Sequence, residues 1–330
     1  MTKVGINGFG RIGRQLLQAI LQFHDQALEV AAINDIISVE ERAYLLRHDT
    51  VYGAYRGTVR TTLHDLVVDN KPISQIGTYR GEEPPDWARM DVEMVIDASG
   101  QVAKVGLHLQ GGAKIIIVTA PHEQADITLI YGVNHSEYDP SKHCLISAAS
   151  CTTICAATVL KTLERFGLRR AYLDSVNAYT NEQRLVDSHH DNPRRARAAA
   201  ANIIPTESST DRTIMGLFPG LCFSGRAFRV PVLCGSVCSL WIETAGPLTA
   251  SEVDTALREE ARLKPTVLGY SLEPLVSSDI IGSTQAAVVD GLLTKVSGPW
   301  VHVVAWYDNE RGHASQVAEL AAYIGKVGIA

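Results

Sequence analysis

Val4-Gly5-Ile6-Asn7-Gly8-Phe9-Gly10-Arg11-Ile12-Gly13-Arg14 reads as a short apolar strand running into three glycines, then into an amphipathic stretch carrying Leu16, Leu17, Ile20 and Leu21. Gly8, Gly10 and Gly13 fit the spacing G-x-G-x-x-G. With a strand before and a helix after, that spacing lets bare backbone approach a pyrophosphate at a helix N-terminus, where the N–H dipoles favour negative charge. Glycine turns also serve tight helix–strand packing, so the pattern alone leaves both readings open. The next apolar strand, Glu29-Val30-Ala31-Ala32-Ile33-Asn34-Asp35, ends in a carboxylate. It lies about twenty residues on, where it can accept hydrogen bonds from an adenosine ribose and repel a 2′-phosphate. Gly8, Gly10, Arg11, Ile12, Gly13 and Asp35 are therefore the expected contacts of a dinucleotide, and Asp35 points to NAD.

Working outward, the first half alternates apolar strands with helical stretches. Met94–Gly100, Ala113–Val118 and Ile127–Val133 read as buried parallel strands of a doubly wound sheet. Beyond residue 150 the character changes to period-two stretches at Ala171–Val176, Phe228–Val232 and Ser236–Glu243, with helices at 152–166 and 250–263. The expectation is an α/β protein: a Rossmann-type domain over 1–149, joined by a C-terminal helix in 314–330, and an α+β catalytic domain over 150–313 with a mostly antiparallel sheet. A chain of 330 residues exceeds the length at which single cores usually split. The polar stretch 182–209 is expected to be an ordered, functional loop.

Composition narrows the function. The net charge of −6 argues against nucleic acid or an anionic membrane as the main partner, and no apolar run is long enough to span a bilayer. The first residues already read as a strand, so no secretory or transit segment is expected. Six cysteines without paired metal spacing point to reduced thiols in a cytoplasmic protein that holds no metal.

Ser150-Cys151-Thr152-Thr153 follows the apolar run His143–Ser147, which puts Cys151 at a helix N-terminus. There the helix end favours the thiolate, the nucleophilic form, and the neighbouring hydroxyls can donate to an oxyanion or a phosphate. A buried structural cysteine capped by Ser150 is the competing reading.

Six stretches in order resemble the signatures of the phosphorylating glyceraldehyde-3-phosphate dehydrogenase family: Val4–Arg14, Ala32–Asp35, Ser150–Thr153, Arg194–Ala200, Ala227–Pro231 and Trp306–Glu310. The resemblance spans essentially the whole chain. It implies a homotetramer, NAD in the first domain, a phosphorylated aldehyde as substrate, and an acyl-enzyme on Cys151 released by inorganic phosphate. By the same resemblance Thr180 and Arg229 hold the substrate's phosphate, Ser150, Thr152 and Ser208 line the site of the attacking phosphate, and Asn309 bonds the nicotinamide amide. Ala287–Gly291 and Lys295–Pro299 look somewhat like the sister enzyme, erythrose-4-phosphate dehydrogenase, whereas Ala178–Arg184 looks like the main family.

The chain departs from the family's pattern at several positions. Asn177 stands where the family has a histidine that pairs with the thiol and acts as general base; an amide cannot take a proton at neutral pH. Ala148 and Ile154 replace asparagines, Ser209 replaces a glycine, Arg311 also departs, and Ser188-His189 replaces a leucine-proline pair that often accompanies strict NAD use. His313 stands where a tyrosine is common, which makes it a candidate for a relocated acid–base group. The readings left open are a substitution at 177 made to trap a substrate or acyl complex, a natural phosphorylating dehydrogenase with different or weak chemistry, and an NAD-binding redox sensor that uses Cys151 without turnover.

Overall fold

The computed structural model describes residues 1–76 and 83–329. It divides into two compact units, Met1–Ala149 with Ala314–Ala330, and Ser150–His313.

The first unit is built on a nine-stranded sheet among the described residues. Seven strands run parallel, in the spatial order Ile127–Thr128, Leu145–Ser147, Ile115–Val118, Met94–Asp97, Thr2–Asn7, Leu28–Asn34 and Lys71–Gln75. Two antiparallel strands, Asp65–Val68 and Val59–Thr61, complete one edge. Helix α1 (Arg11–Ala19) follows the glycine turn and buries Leu16 and Leu17 completely. Helix α2 (Val39–Arg47) starts on a capping box in which Ser38 and Glu41 satisfy each other's backbone N–H groups. A single turn, α3 (Leu107–Gln110), precedes the strand Ile115–Val118. The core of this unit joins Val4, Ile6, Leu16, Ile33 and Ile96 to Val317, Leu320 and Ile324 near the C-terminus.

The doubly wound reading and the second, mostly antiparallel sheet both hold, but several strands are shorter than expected. The expected strand 127–133 ends after Thr128, because Gly132 at φ 81° and Asn134, whose side chain accepts from Ile130 N and donates to Thr128 O, turn the chain. Regular pairing of the strand expected to reach Gly100 ends at Asp97, whose carboxylate takes the backbone N–H of Ser99.

In the second unit α4 (Cys151–Leu163) is buried along almost its whole length, and its buried Thr158 and Thr162 donate their hydroxyls to the carbonyls of Ile154 and Thr158. Helices α5 (Thr210–Leu217) and α6 (Ala250–Leu263) follow, the latter on a Thr249–Glu252 capping box. The sheet runs in the order Ile204–Thr206, Cys222–Val230, Leu168–Ala178, Ser236–Thr244, Trp300–Tyr307, Ala287–Asp290, Leu268–Ser271, with Lys295–Ser297 paired beside Trp300–Tyr307. Parallel pairing occurs between Leu168–Ala178 and Cys222–Val230, and between Leu268–Ser271 and Ala287–Asp290; the other pairs are antiparallel. The last helix, α7 (Arg311–Val327), begins in this unit and ends in the first. No helix among the described residues is long and apolar enough to cross a membrane.

Candidate active site

In the first unit the carboxyl ends of three adjacent parallel strands supply Asn7, Asn34 and Asp97 to a cavity of about 510 Å³. Open α/β sheets bind ligands at this kind of position, where the strand order reverses. The glycines earn their places in different ways. Gly8 has φ 89°, and a Cβ there would lie 2.6 Å from the backbone of Ser99. A Cβ on Gly13 would lie 2.0 Å from the carbonyl of Gly8, which is the close approach of helix to strand. Gly10 is the informative one: it lines the cavity and a Cβ on it would meet no protein atom within 4 Å. A side chain there would fill ligand space and nothing else.

Asp35 lines the same cavity, its carboxylate fixed by the backbone N–H groups of Phe9 and Ile37. Arg11 turns its guanidinium to Asp49 at 2.5 Å, and Ile12 packs on the core. Both residues therefore meet a ligand at most through the main chain of the first helical turn.

Beneath these groups runs a buried relay that the sequence did not announce. Asn34 donates to Asn7 Oδ1 at 2.7 Å, Asn7 donates to Asp97 at 2.6 Å, and His108 Nε2 lies 2.9 Å from the same carboxylate. Trp87 donates to His108 Nδ1, so the imidazole carries its proton on Nε2 and gives it to Asp97. These bonds hold the Asp97 carboxyl below its ordinary value even though burial pushes the other way. Asn34 Oδ1, by contrast, is buried with no hydrogen-bond partner. An orphaned acceptor in the wall of the cavity fits a hydroxyl-bearing ligand.

In the second unit Cys151 is the first residue of α4, and Ser150 caps the helix by accepting from Thr153 N. The turn into it is strained: Ala149 has φ 59°, a left-handed conformation that costs a non-glycine residue about 1 kcal/mol. Its N–H is held by Ser147 Oγ. The helix position is as the sequence implied, but its effect on the thiol is not. Burial pushes the Cys151 thiol above its ordinary value, outweighing the nearby Arg229 guanidinium and the backbone N–H of Thr152.

Asn177 is buried on the strand Leu168–Ala178, directly across from Arg229. Its Oδ1 accepts from Tyr307 OH at 2.6 Å and from Thr152 Oγ1 at 3.1 Å; its Nδ2 donates to Ser175 Oγ at 3.1 Å. Thr152 and Tyr307 are themselves 2.9 Å apart. The amide is therefore fully engaged, and among the described residues no hydrogen bond joins it to Cys151. Thr152, expected at the phosphate site, turns its hydroxyl into this hub instead. Burial drives the Tyr307 phenol far above its ordinary value, so it stays protonated.

Arg229 gives Nη1 to Ala178 O at 3.0 Å, while its Nε is buried without a partner. Thr180 is pinned by Gln183, whose Oε1 accepts from Thr180 N at 2.8 Å and from its hydroxyl at 3.3 Å. Gln183 Nε2 is a second buried donor with no partner. Ser208 donates to Thr210 at 2.7 Å. Ser209 has φ −82°, a conformation open to any residue, so the turn does not require glycine there. Asn309 accepts from Gly235 N and Ser236 Oγ through Oδ1, which leaves its amide N–H₂ as the group a ligand would meet. His313 is buried in the first turn of α7. In the loop 182–209, Arg195 binds Glu182 and Thr206, and Arg197 binds Asp187.

The family model described as "Glyceraldehyde 3-phosphate dehydrogenase, NAD binding domain" matches residues 2–105, and that described as "Glyceraldehyde 3-phosphate dehydrogenase, C-terminal domain" matches residues 150–309. The chain belongs to this family. It is 42% identical over 337 residues to glyceraldehyde-3-phosphate dehydrogenase 1 of Bacillus subtilis and 43% identical to the Geobacillus stearothermophilus enzyme, covering 99% of each chain in both cases. Against glyceraldehyde-3-phosphate dehydrogenase 1 of Bacillus cereus the identity is 40% over the full length of both. The chain is thus an NAD-dependent oxidoreductase of the glyceraldehyde-3-phosphate dehydrogenase family.

Sequence reasoning passed over Tyr307, Gln183, Thr153 and Thr210 as site residues, and Asn7, Asn34, Asp97 and His108 in the cofactor wall. Tyr307, Gln183, Asn7 and Asn34 all stand inside motifs already singled out. Asn7 and Asn34 are polar ends of apolar strands, which was the available signal; Gln183, among polar neighbours, and Tyr307 carried none of that kind.

Proposed function

We propose that this protein oxidises a phosphorylated aldehyde of the glyceraldehyde-3-phosphate type with NAD, through a thioester on Cys151 that inorganic phosphate releases, and that Asn177 makes the turnover slow. The observation that carries the reading is Arg229: a guanidinium whose Nε is buried and unpartnered and whose charge acts on the Cys151 thiol. A cation kept unsatisfied beside a half-buried nucleophile suits an anionic substrate.

Cys151 Sγ would add to the aldehyde carbon and its proton would pass to the carbonyl oxygen, giving a thiohemiacetal. The nicotinamide, when bound, supplies the acceptor for the hydride that leaves this carbon. Asn309, with Oδ1 already committed, would offer its N–H₂ to the nicotinamide amide. The thiohemiacetal hydroxyl must lose its proton as the hydride departs. Asn177 cannot accept it, and Tyr307 is held protonated, so a base has to come from solvent, from phosphate or from His313. Arg229 and Thr180 would hold the substrate's own phosphate. Ser150 and Ser208 would hold the inorganic phosphate, which attacks the thioester carbon; the C–S bond breaks and Cys151 leaves as a thiolate beside Arg229. The reading also implies a homotetramer in the cytoplasm, as the resemblance suggests.

A steady-state assay with NAD and a panel of three- to five-carbon aldehyde phosphates, with and without inorganic phosphate, tests this. NADH formation accelerated by phosphate is the expected result, and the preferred aldehyde separates the glyceraldehyde from the erythrose reading. NAD binding without phosphate-dependent reduction would overturn the proposal in favour of a sensor.

A further inference from the structure

Four hydroxyls form a continuous chain across the second unit. Ser150 Oγ lies 2.8 Å from Thr153 Oγ1, Thr153 donates to Thr210 Oγ1 at 3.2 Å, and Ser208 donates to the same oxygen at 2.7 Å. The two serines are bound in matching ways: Ser150 Oγ accepts from Thr153 N and Ser208 Oγ accepts from Thr210 N, both at 3.2 Å. Thr153 and Thr210 are 0% and 1% exposed, so water does not compete for these bonds.

The proton count has one solution. A hydroxyl has one proton to give. Thr153 spends its proton on Thr210, so Ser150 must donate to Thr153. Ser208 also donates to Thr210. The protons of Ser150, Thr153 and Ser208 therefore all run towards Thr210, whose oxygen closes the chain by accepting twice. Removing that one oxygen frees Thr153 and Ser208 at once, and Ser150 through Thr153. The bond between Thr153 and Thr210 also ties the first turn of α4, which carries Cys151, to the first turn of α5.

We infer that Thr210 is a positioning residue for inorganic phosphate: through Thr153 it fixes the separation and the rotamers of Ser150 and Ser208. This rests on the reading above in which those two serines receive the phosphate that releases the thioester. Thr210 itself is buried and acts through the serines: when phosphate takes the protons of Ser150 and Ser208 the chain reverses, Thr210 giving its own proton to Thr153 and Thr153 its proton to Ser150, so the oxygens stay bonded while both serines face the anion as donors.

The test compares Thr210→Val, which keeps the shape and loses the oxygen, with Thr210→Ser, which keeps the oxygen. Two hydrogen bonds of ordinary strength are at stake, so the KM for phosphate should rise about tenfold in Thr210→Val. At saturating phosphate kcat should fall by much less, and Thr210→Ser should restore the parent KM. A readout without turnover runs beside it: the phosphate concentration that half-protects Cys151 from iodoacetamide should shift by the same factor. A phosphate KM and a protection midpoint within twofold of the parent would overturn the inference. So would a uniform loss in Thr210→Val of kcat and of the KM values for NAD and aldehyde, since that marks a general packing role. A parent protein that shows phosphate protection, shifted by Thr210→Val, but no phosphate-dependent turnover would keep the phosphate site and fail the catalytic reading. Absence of both in the parent would overturn both.

Discussion

Replacing Asn177 with histidine asks whether the missing base is what limits this enzyme. The structure sets the cost. Asn177 Oδ1 takes two hydroxyl protons, from Tyr307 at 2.6 Å and from Thr152 at 3.1 Å. One ring N–H of a neutral imidazole can donate to Ser175 Oγ in the amide's place, which leaves the other nitrogen free to take a proton, and Thr152, already 2.9 Å from the phenol oxygen, can donate there instead. About one hydrogen bond is then lost, worth about 1 kcal/mol. The larger ring must enter a site only 3% exposed, which adds about 1–3 kcal/mol of overpacking. A folded but less stable variant, by about 2–4 kcal/mol, is the expected outcome, read as a lower midpoint in urea.

Against that cost stands the gain from a positioned base, about 10²–10⁴ in kcat. That is about 3–5 kcal/mol of barrier, larger than any plausible loss from misplacing the ring slightly. The assay is kcat with NAD, phosphate and the best aldehyde from the panel, with urea unfolding on the same preparation. His313→Ala is its companion: loss of most remaining turnover in that variant marks His313 as the relocated acid–base group, and unchanged turnover marks it as structural. A well-folded Asn177→His protein whose kcat rises less than about threefold would refute the reasoning, since a base placed at 177 would then supply far less than the usual factor.

Because burial holds the Cys151 thiol above its ordinary value, its alkylation by iodoacetamide should be slow at neutral pH and keep climbing past pH 9, without levelling off near the usual thiol range. The same raised thiol keeps a proton that the unfolded chain has released, so its contribution to stability should fall as pH rises through the ordinary range towards the folded one. A thiol half-titrated below pH 8 would contradict this. Gly10→Val should abolish NAD binding in calorimetry with little change in unfolding, whereas Gly13→Ala, whose Cβ would stand 2.0 Å from Gly8 O, should unfold more readily; equal stability of the two would refute the assignment of Gly10 to ligand space. Asp35→Ala should narrow the preference for NAD over NADP in titrations, and a parent that binds NADP equally well would show that the carboxylate does not exclude the 2′-phosphate.

What the sequence made legible was local. Gly8, Gly10 and Gly13 are separated by fixed, short intervals; Gly8 and Gly13 have steric reasons in the neighbouring backbone, and Gly10 borders open space in the cavity. Asp35 follows from the end of a strand. Cys151 at the first position of α4 follows from an apolar run, a serine and a buried helix in succession. The rest was carried by contacts that no spacing reveals. Thr152, Asn177 and Tyr307 meet only because three elements converge, with 130 residues between Asn177 and Tyr307. Thr153 and Thr210 are 57 residues apart. The Asp97–His108–Trp87 relay depends on α3 and the segment around Trp87 closing over a strand end. Strand ends were over-read where a backbone turn competes with a ladder, as at Gly132.

The thiol shows why local reading and site chemistry part company. A helix N-terminus favours the thiolate and can be read from the sequence; the Arg229 cation beside the thiol, and the burial that opposes both, are properties of the folded unit alone. Here burial wins. Asn177 compounds the effect, because its amide is committed to Tyr307 and Thr152 and cannot assist ionisation. The remaining source of negative-charge stabilisation is Arg229, whose spare Nε is also what a substrate phosphate would take. One guanidinium would then face two anions together: the substrate's phosphate, which stays on the acyl group throughout, and the departing thiolate when inorganic phosphate breaks the thioester. Arg229→Met should therefore lower kcat as well as raise the KM for the aldehyde phosphate, whereas an arginine that only anchors substrate would raise KM and leave kcat within about twofold.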